Sequence, residues 1–590
     1  MAFLDILQTD ELGGALEKYL TPVQFPKNTC IMRQGDKGEG CYIIDEGTVR
    51  LEVRNTETDT DGVIGFLEPV VFVGEFNLLD NCPREASAYA HTDVKARYFS
   101  KQDYDEICQK YPRIALTIAT TMGQNLIEKL RKANERVAGY IFSEDIDQDT
   151  NQMVERARKA QLIFASWPED KVDALLKDIA EAIAAQAEEL AAKCVAETNI
   201  GTAVDKVAKI RFASLDVYKS VTGRSASGFR TSTIDNVMEI SCPVGVVFGL
   251  IPITNPVSTI SFKTIISLKG RNALILSCQR EALGVGKQTC DIIRNVLERH
   301  GAPADLVQPI MQRSSRQKTL MFMKHPGVDM ILATGGTSMV KAAYSSGTPA
   351  IGVGAGNAPV LVCSDANIGE AAKNIVLGKS FDNGVICGSE NNLVVVAKVY
   401  EEFVRQLEAN GAIILTADEK NQFTPRVFEV DTSTLKRPMV GRSASFIADK
   451  AGIRRVKDFR LIVVRIRPDE IQGPYAHEKL APILSLLMVN DENEGIRFCK
   501  QILGNQGLGH TAVIYTQDRE LVRKFGREIS ASRILVNVSA SYGCVGIGSG
   551  LTPSFTLGCG TFGGTSTTDN VTYTHLLNIK RISPDLLPHA

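Results

Sequence analysis

The sequence predicts a multidomain chain: a small antiparallel β-roll closed by helices, then a large α/β unit of two lobes built on parallel sheets. Two observations predict it. Residues 21–100 read as short alternating strands divided by turns. From Met153 onward, apolar runs alternate with amphipathic helices, the pattern of parallel sheets covered on both faces. At 590 residues the chain exceeds what one core organises, so two to four domains are expected.

In the first region, 41-CYIID-45, the Glu46-Gly47 turn, 48-TVRLEV-53, 86-ASAYA-90 and 94-VKARYFS-100 carry the strand signal. From Lys101 the period becomes helical, and through 114–142 apolar residues recur every three or four positions. The acidic 143-SEDIDQDTNQ-152 reads as a linker. Beyond it, 171–198 reads as one Ala/Leu/Glu-rich helix. The runs 244-VGVVFGL-250, 273-ALILS-277, 329-DMILAT-334, 359-PVLVC-363 and 393-LVVVA-397 read as strands. The expected boundaries are 1–142 for the β-roll with its C-terminal helix and 143–152 for the linker. Residues 153–363 with 551–580 then form one lobe and an arm, and 364–550 the other lobe. No fixed-period repeat or low-complexity tract interrupts this order.

Composition narrows the function classes. Hydrophobic residues make up 44% and charged residues 23%, as in ordinary globular proteins. A net charge of −2 gives no global attraction to nucleic acid or an anionic membrane. Thirteen cysteines are scattered without a C-x-x-C pair or a Cys/His cluster, so a reducing cytoplasm is expected, with no disulfide and no metal. The opening MAFLDILQTDELGG is unlike a secretory signal, and 243-PVGVVFGLIPITNP-256 is broken by Gly and Pro before it reaches membrane-span length. The expectation is a cytoplasmic protein with neither a membrane nor a nucleic-acid partner.

The stretch 72-FVGEFNLLDNCPREASA-88 has the parts of an anion cradle. Gly74 permits a tight turn, Glu75 supplies a carboxylate, and nine residues later Arg84 supplies a cation beside the small Ala86 and Ser87. With 35-GDKGEGCYIIDEGTVRLEV-53 it resembles the cyclic nucleotide-binding domain of cAMP receptor proteins and of the regulatory subunits of cAMP-dependent kinases. The resemblance implies that Glu75 binds the ribose 2′-hydroxyl and Arg84 the cyclic phosphate of cAMP or cGMP. Gly74, Ala86 and Ser87 would shape the cradle, with backbone amides around Phe76, Asn77, Glu85 and Ala86. Two residues depart from the pattern: Glu85 stands where a small residue is usual, and Asn77 where alanine is usual. A carboxylate beside a phosphate weakens binding unless it points to solvent. The alternative is a nucleotide-free fold that serves as an assembly surface.

In 381-FDNGVICGSE-390, Cys387 lies among turn-forming and small residues that let backbone N–H groups and a substrate approach its sulfur. The competing reading is a buried structural thiol. Four further constellations bear on it. In 252-PITNP-256, Asn255 would offer its amide to an oxyanion or make an Asx turn. In 332-LATGGTSMVKAAYSSG-347, Thr334, Gly335 and Gly336 turn into a helix beginning near Ser338, a phosphate-compatible arrangement. The third is 350-AIGVGAGNAPVLV-362, a Gly-rich turn containing Gly356. The fourth is 476-AHEKLAPIL-484, where Glu478 is a ribose acceptor or a solvated helix-end carboxylate.

In this order, and with 340-VKAAYSSGTPAIGVGAGNAP-359, 509-GHTAVIYT-516 and 558-GCGTFGGTSTTDNVTYTHLLNIK-580, residues 153–590 resemble the aldehyde dehydrogenase superfamily. Within it they are most similar to the CoA-acylating group, including the aldehyde dehydrogenase half of bifunctional aldehyde-alcohol dehydrogenases. The resemblance implies a Rossmann-like cofactor lobe, a catalytic lobe and a β-arm, following a cyclic nucleotide-binding-like β-roll. It implies that Cys387 attacks the aldehyde, with Asn255 holding the oxyanion. Glu478 would bind the nicotinamide ribose, Thr334, Gly335 and Gly336 would lie along the pyrophosphate, and Gly356 would belong to the same cofactor site. Ser277 and Arg280 would lie near the adenosine ribose of NAD or NADP.

Hydrolytic relatives carry a water-activating Glu in an E-L-G-G-K-x-P turn; here the matching residue is Val353, so coenzyme A is the expected acyl acceptor. His510 would accept the CoA thiol proton, or be a hydrogen-bonded structural histidine. The segment 571–580 resembles an intersubunit arm and implies a homo-oligomer; otherwise it is an intramolecular edge strand. Because the chain ends soon after it, no iron-dependent alcohol dehydrogenase half is expected. The other readings are a hydrolytic dehydrogenase with its base elsewhere, and a non-catalytic nucleotide sensor or filament subunit. The identity of the aldehyde is not written in the sequence.

Overall fold

Alternating strands need partners on both edges, and in the N-terminal region they find them in two four-stranded antiparallel sheets. A computed structural model of the chain describes residues 16–55, 60–69, 71–79, 83–141, 143–232, 234–311, 316–429 and 434–585. It divides into Met1–Glu144 and Asp145–Ala590. In the first unit one sheet runs Thr21–Phe25, Val94–Ser100, Gly40–Glu46, Val71–Val73; the other runs Cys30–Met32, Ser87–Ala90, Val49–Asn55, Thr60–Leu67. Cys41, Ile43, Phe72 and Phe99 pack with Tyr104, Ile107, Ile114 and Ile118 from the helices Lys101–Lys110 and Pro112–Ile141.

Two expectations change here. The acidic stretch 143–152 is helical, the opening of the helix Ser143–Ala165. Its Asp and Glu side chains suit the positive end of a helix as well as they suit a loop. The segment 171–198 is two helices, Glu169–Ala185 and Ala187–Thr198, which part at Gln186. No Gly or Pro marks that break, and the apolar period runs on across it.

The second unit holds two parallel sheets. The five-stranded sheet runs Val307–Pro309, Ala273–Cys278, Val246–Ile251, Met330–Thr334, Ala350–Val353. Two of its three inner strands, Ala273–Cys278 and Val246–Ile251, are buried at every position, as parallel strands under helices must be. The seven-stranded sheet runs Ala412–Leu415, Leu461–Arg465, Ile483–Val489, Glu390–Val396, Ala358–Val362, Gly509–Tyr515, Ala531–Val536. The chain therefore changes sheets at 354–357, one strand earlier than the boundary expected at 363. Two apolar runs separated by a Gly-rich turn look alike in sequence whichever sheet each joins. The Asn357 carboxamide pins the crossing by donating to the Ala476 carbonyl (2.7 Å) and accepting from Asn392 (2.8 Å).

A third, antiparallel sheet joins Leu577–Ile582 to Met238–Pro243 and then Gly228–Arg230. Phe229, Met238 and Ile582 are exposed on it. Among the described residues no helix is long and apolar enough to cross a membrane.

Candidate active site

Between the helix Ile368–Ser380 and the strand Glu390–Val396 the chain makes a bend that few residues tolerate. Asp382, Asn383 and Gly384 take φ of 48°, 54° and 74° in succession. Asn, Asp and Gly occupy this left-handed region at least cost. The fully buried Asp382 carboxylate holds the bend by accepting the Thr202 N–H (2.8 Å) and the ammonium groups of Lys206 (3.0 Å) and Lys209 (2.6 Å). Cys387 follows, half-buried, with the Gly388 N–H donating to its sulfur. Burial foremost, then the charges of Glu478 and Cys559, push its thiol up to about 12 against the pull of Arg533 and of the Gly388 N–H. By itself the site keeps this sulfur protonated near neutral pH.

Two glycine-rich contacts surround it. A Cβ on Gly356 would lie 1.5 Å from the Cys387 carbonyl oxygen, so the sheet-crossing turn rests directly on the Cys387 backbone. The Gly356 N–H also donates to Glu478 Oε1 (3.1 Å). Burial raises the Glu478 carboxyl to about 7, opposed by that N–H and by Lys379 and Lys479.

Asn255 ends the loop after the strand Val246–Ile251 and occupies the N-cap of the helix Pro256–Lys269, whose first residue is proline. Asparagine there normally caps the helix, but this side chain makes no capping bond. Its Oδ1 instead accepts from Lys209 Nζ (2.8 Å), and its Nδ2 donates to the Val385 carbonyl (3.0 Å).

A cavity of about 700 Å³ brings together Asn255, Thr334, Gly335, Gly336, Cys387 and Glu478, with Val353 in its wall. The Thr334 hydroxyl is buried without a hydrogen-bond partner among the described residues. Gly336 caps the helix Thr337–Tyr344, and nothing lies within 4 Å of a Cβ built on it. An unpaired hydroxyl and two glycines at a helix N-terminus, at the carboxyl end of a parallel strand, fit the pyrophosphate of a dinucleotide.

The remaining sequence candidates lie around this cavity. Ser277 is buried at the end of the strand Ala273–Cys278 and does not line it. Arg280 is exposed, and its neighbours Gln279 and Glu281 line the cavity in its place, since successive side chains in that turn point apart. His510 lies behind Gly388: a Cβ there would meet Cys544 Sγ at 2.5 Å and His510 Cε1 at 3.4 Å. Its Nδ1 pairs with the Thr511 hydroxyl (2.9 Å), and its Nε2 has no partner among the described residues. Burial and Arg533 hold the imidazole well below its usual range, hence neutral. Sequence reading missed Lys206, Lys209, Gln279, Glu281 and the Arg437–Glu281 pair (2.6 Å). It quoted Asp382 only as part of a turn.

In the first unit, Glu75 and Arg84 are buried and Gly74 (φ 79°) is half-buried beside them. Arg84 donates to the carbonyls of Gly74 (2.8 Å) and Gly40 (2.7 Å). Ala86 and Ser87 are half-buried, and the Ser87 hydroxyl accepts the Gln34 N–H (3.0 Å). Glu85 is exposed, which removes the objection raised by its charge. The Asn77 side chain lies outside the described residues.

Residues 119–438, more than half of the chain, match the model of the aldehyde dehydrogenase family. The chain belongs to the aldehyde dehydrogenase family. Residues 22–111 match the cyclic nucleotide-binding domain. The bifunctional aldehyde-alcohol dehydrogenase AdhE of Escherichia coli is 37% identical over 441 residues, 74% of this chain and 49% of that protein. This aldehyde dehydrogenase family member thus spans about half the length of such relatives. The acetylating succinate-semialdehyde dehydrogenase of Clostridium kluyveri is 32% identical over 73% of this chain and 94% of its own. Among solved structures, an acetylating aldehyde dehydrogenase from Geobacillus thermoglucosidasius superposes with a TM-score of 0.73 at 37% identity, covering 76% of this chain and 98% of that one.

Proposed function

We propose that the chain is a CoA-acylating aldehyde dehydrogenase that interconverts aldehyde, CoA and NAD(P)+ with acyl-CoA and NAD(P)H. One observation carries this reading: Cys387 shares its cavity with Asn255, while the wall position Val353, where hydrolytic relatives would place a water-activating carboxylate, is apolar.

Cys387 Sγ bonds to the aldehyde carbon and its proton passes to solvent in the cavity, the proton released in the overall reaction. The carbonyl oxygen takes negative charge, held by the Asn255 amide hydrogen that Val385 does not engage and by the Cys387 N–H. NAD or NADP, when bound, supplies the hydride acceptor, and Thr334, Gly335, Gly336 and Glu478 would hold it. The resulting Cys387 thioester is attacked by the CoA sulfur, and the Cys387 thiolate departs. The CoA thiol proton would pass to the departing Cys387 sulfur, the stronger base, because His510 is buried behind Gly388 and held well below its usual range.

A second reading, hydrolysis, draws on Glu478, a cavity carboxylate whose value near 7 suits a general base. The CoA dependence of NAD(P)H formation separates them. We expect a single burst equal to the enzyme concentration without CoA, steady turnover with it, and an acyl mass on Cys387 in between. Equal turnover in both conditions would favour hydrolysis.

The first unit would bind cAMP or cGMP through Glu75 and Arg84, supported by their shared burial beside Gly74 and the exposure of Glu85. Such a ligand regulates only if it favours one state of the enzyme over another. Calorimetry of the full chain is expected to register binding of one cyclic nucleotide and its loss in Arg84→Ala. Exposed Phe229, Met238 and Ile582 on the C-terminal sheet support association into a homo-oligomer.

A further inference from the structure

We infer that Lys209 is a positioning residue for the oxyanion: its ammonium orients and polarises the Asn255 carboxamide, and Asp382 fixes that ammonium to the bend that carries Cys387. The inference rests on the reading of Asn255 as the oxyanion donor. Lys209 lies on the helix Ala203–Arg211, 3% exposed. Its Nζ lies 2.8 Å from Asn255 Oδ1 and 2.6 Å from Asp382 Oδ2.

A carboxamide can present either end to a pocket. Here a cation takes the oxygen, so the NH2 end must face the other way. One of its hydrogens goes to the Val385 carbonyl, two residues before the nucleophile, and the second remains for a substrate oxygen. An amide whose oxygen accepts from an ammonium carries more positive charge on its N–H groups and donates more strongly, because successive hydrogen bonds polarise one another.

Neighbouring carboxylates hold Lys209 in this place. Two buried ammonium groups, Lys206 and Lys209, share the single carboxylate Asp382. The Asp205 carboxylate accepts from the Asp382 N–H and the Thr202 hydroxyl and also acts on Lys209 through space. With Asp205 counted the two ammonium groups face two carboxylates, so Lys209 acts on the oxyanion through its direct bond to Asn255 Oδ1 and not through a net charge. Lys206 differs in one informative way: its Nζ donates to the Thr254 carbonyl (2.8 Å) and contacts Asp382, but makes no bond to the Asn255 carboxamide.

Two measurements on the full-length protein test this. The first is the pre-steady-state burst of NADH from propionaldehyde. The second is alkylation of Cys387 by iodoacetamide, a displacement that forms no oxyanion. Asn255→Ala is expected to slow the burst about 100-fold. Lys209→Met is expected to slow it about 10-fold or more, with alkylation within about threefold of the parent in both. The double variant should be no slower than Asn255→Ala alone, and Lys206→Met should lose less than Lys209→Met. Lys209→Gln, which keeps a donor without the charge, serves if the Met variant does not fold, and should fall between parent and Asn255→Ala.

Equal losses in burst and alkylation, an additive double variant, or equal losses from the two lysines would overturn the inference. So would a Lys209 variant with the parent burst while Asn255→Ala is slow. A fast Asn255→Ala would instead overturn the reading of Asn255 itself.

Discussion

Replacing Cys387 with serine is expected to lower turnover by about four orders of magnitude and to abolish the acyl mass on the 381–390 peptide. The reason lies in the electrostatics of this bend. The thiol is already pushed up to about 12 by burial and by the Glu478 charge. A hydroxyl begins several pH units less acidic than a thiol and meets the same burial, so its anion is out of reach at any working pH. Steady-state NADH formation with CoA, paired with intact-mass measurement, checks this. A serine variant within about tenfold of the parent, or an acyl mass on another side chain, would remove Cys387 from the mechanism.

Gly356→Ala is expected to reduce kcat by about 100-fold or more while the chain stays folded. The added Cβ would meet the Cys387 carbonyl oxygen at 1.5 Å and its carbonyl carbon at 2.6 Å. Both atoms are backbone, so no side-chain rotation relieves the clash. Either the sheet-crossing turn or Cys387 must move by more than an ångström, and the Gly356 N–H would leave Glu478. Displacement on that scale costs roughly 100-fold when it misaligns reacting atoms. Gly354→Ala is the comparison: its Cβ meets only Cys559 Sγ, at 3.9 Å, an ordinary contact. Its loss should be much smaller. Parallel kcat values for the two variants, with melting temperatures confirming folded protein, would contradict the contact at Gly356.

Much of the site could be read before any coordinates. Cys387, Asn255, Thr334, Gly335, Gly336 and Glu478 reach one cavity because each sits in a short motif whose turn chemistry restricts its surroundings. Asn383-Gly384 announced a turn, and the structure shows it as a left-handed bend. Lys206 and Lys209 stayed hidden for the opposite reason. In A-V-D-K-V-A-K-I-R they resemble the solvated face of a helix, and only the tertiary fold brings Asp382 to meet them. Arg280, which the resemblance implied near the adenosine ribose, is exposed, while its neighbours Gln279 and Glu281 line the cavity. The sheets themselves were legible from apolar runs, but which run joins which sheet depends on pairing partners far away in sequence, so the crossing at 354–357 was displaced.

A sulfur that stays protonated until a reaction is under way is also a sulfur that survives. Peroxide and other adventitious electrophiles consume thiolates, and an enzyme holding a permanent thiolate would be lost to oxidation between turnovers. Burial holds the Cys387 thiol in its protonated form near neutral pH, the form that peroxide attacks slowly.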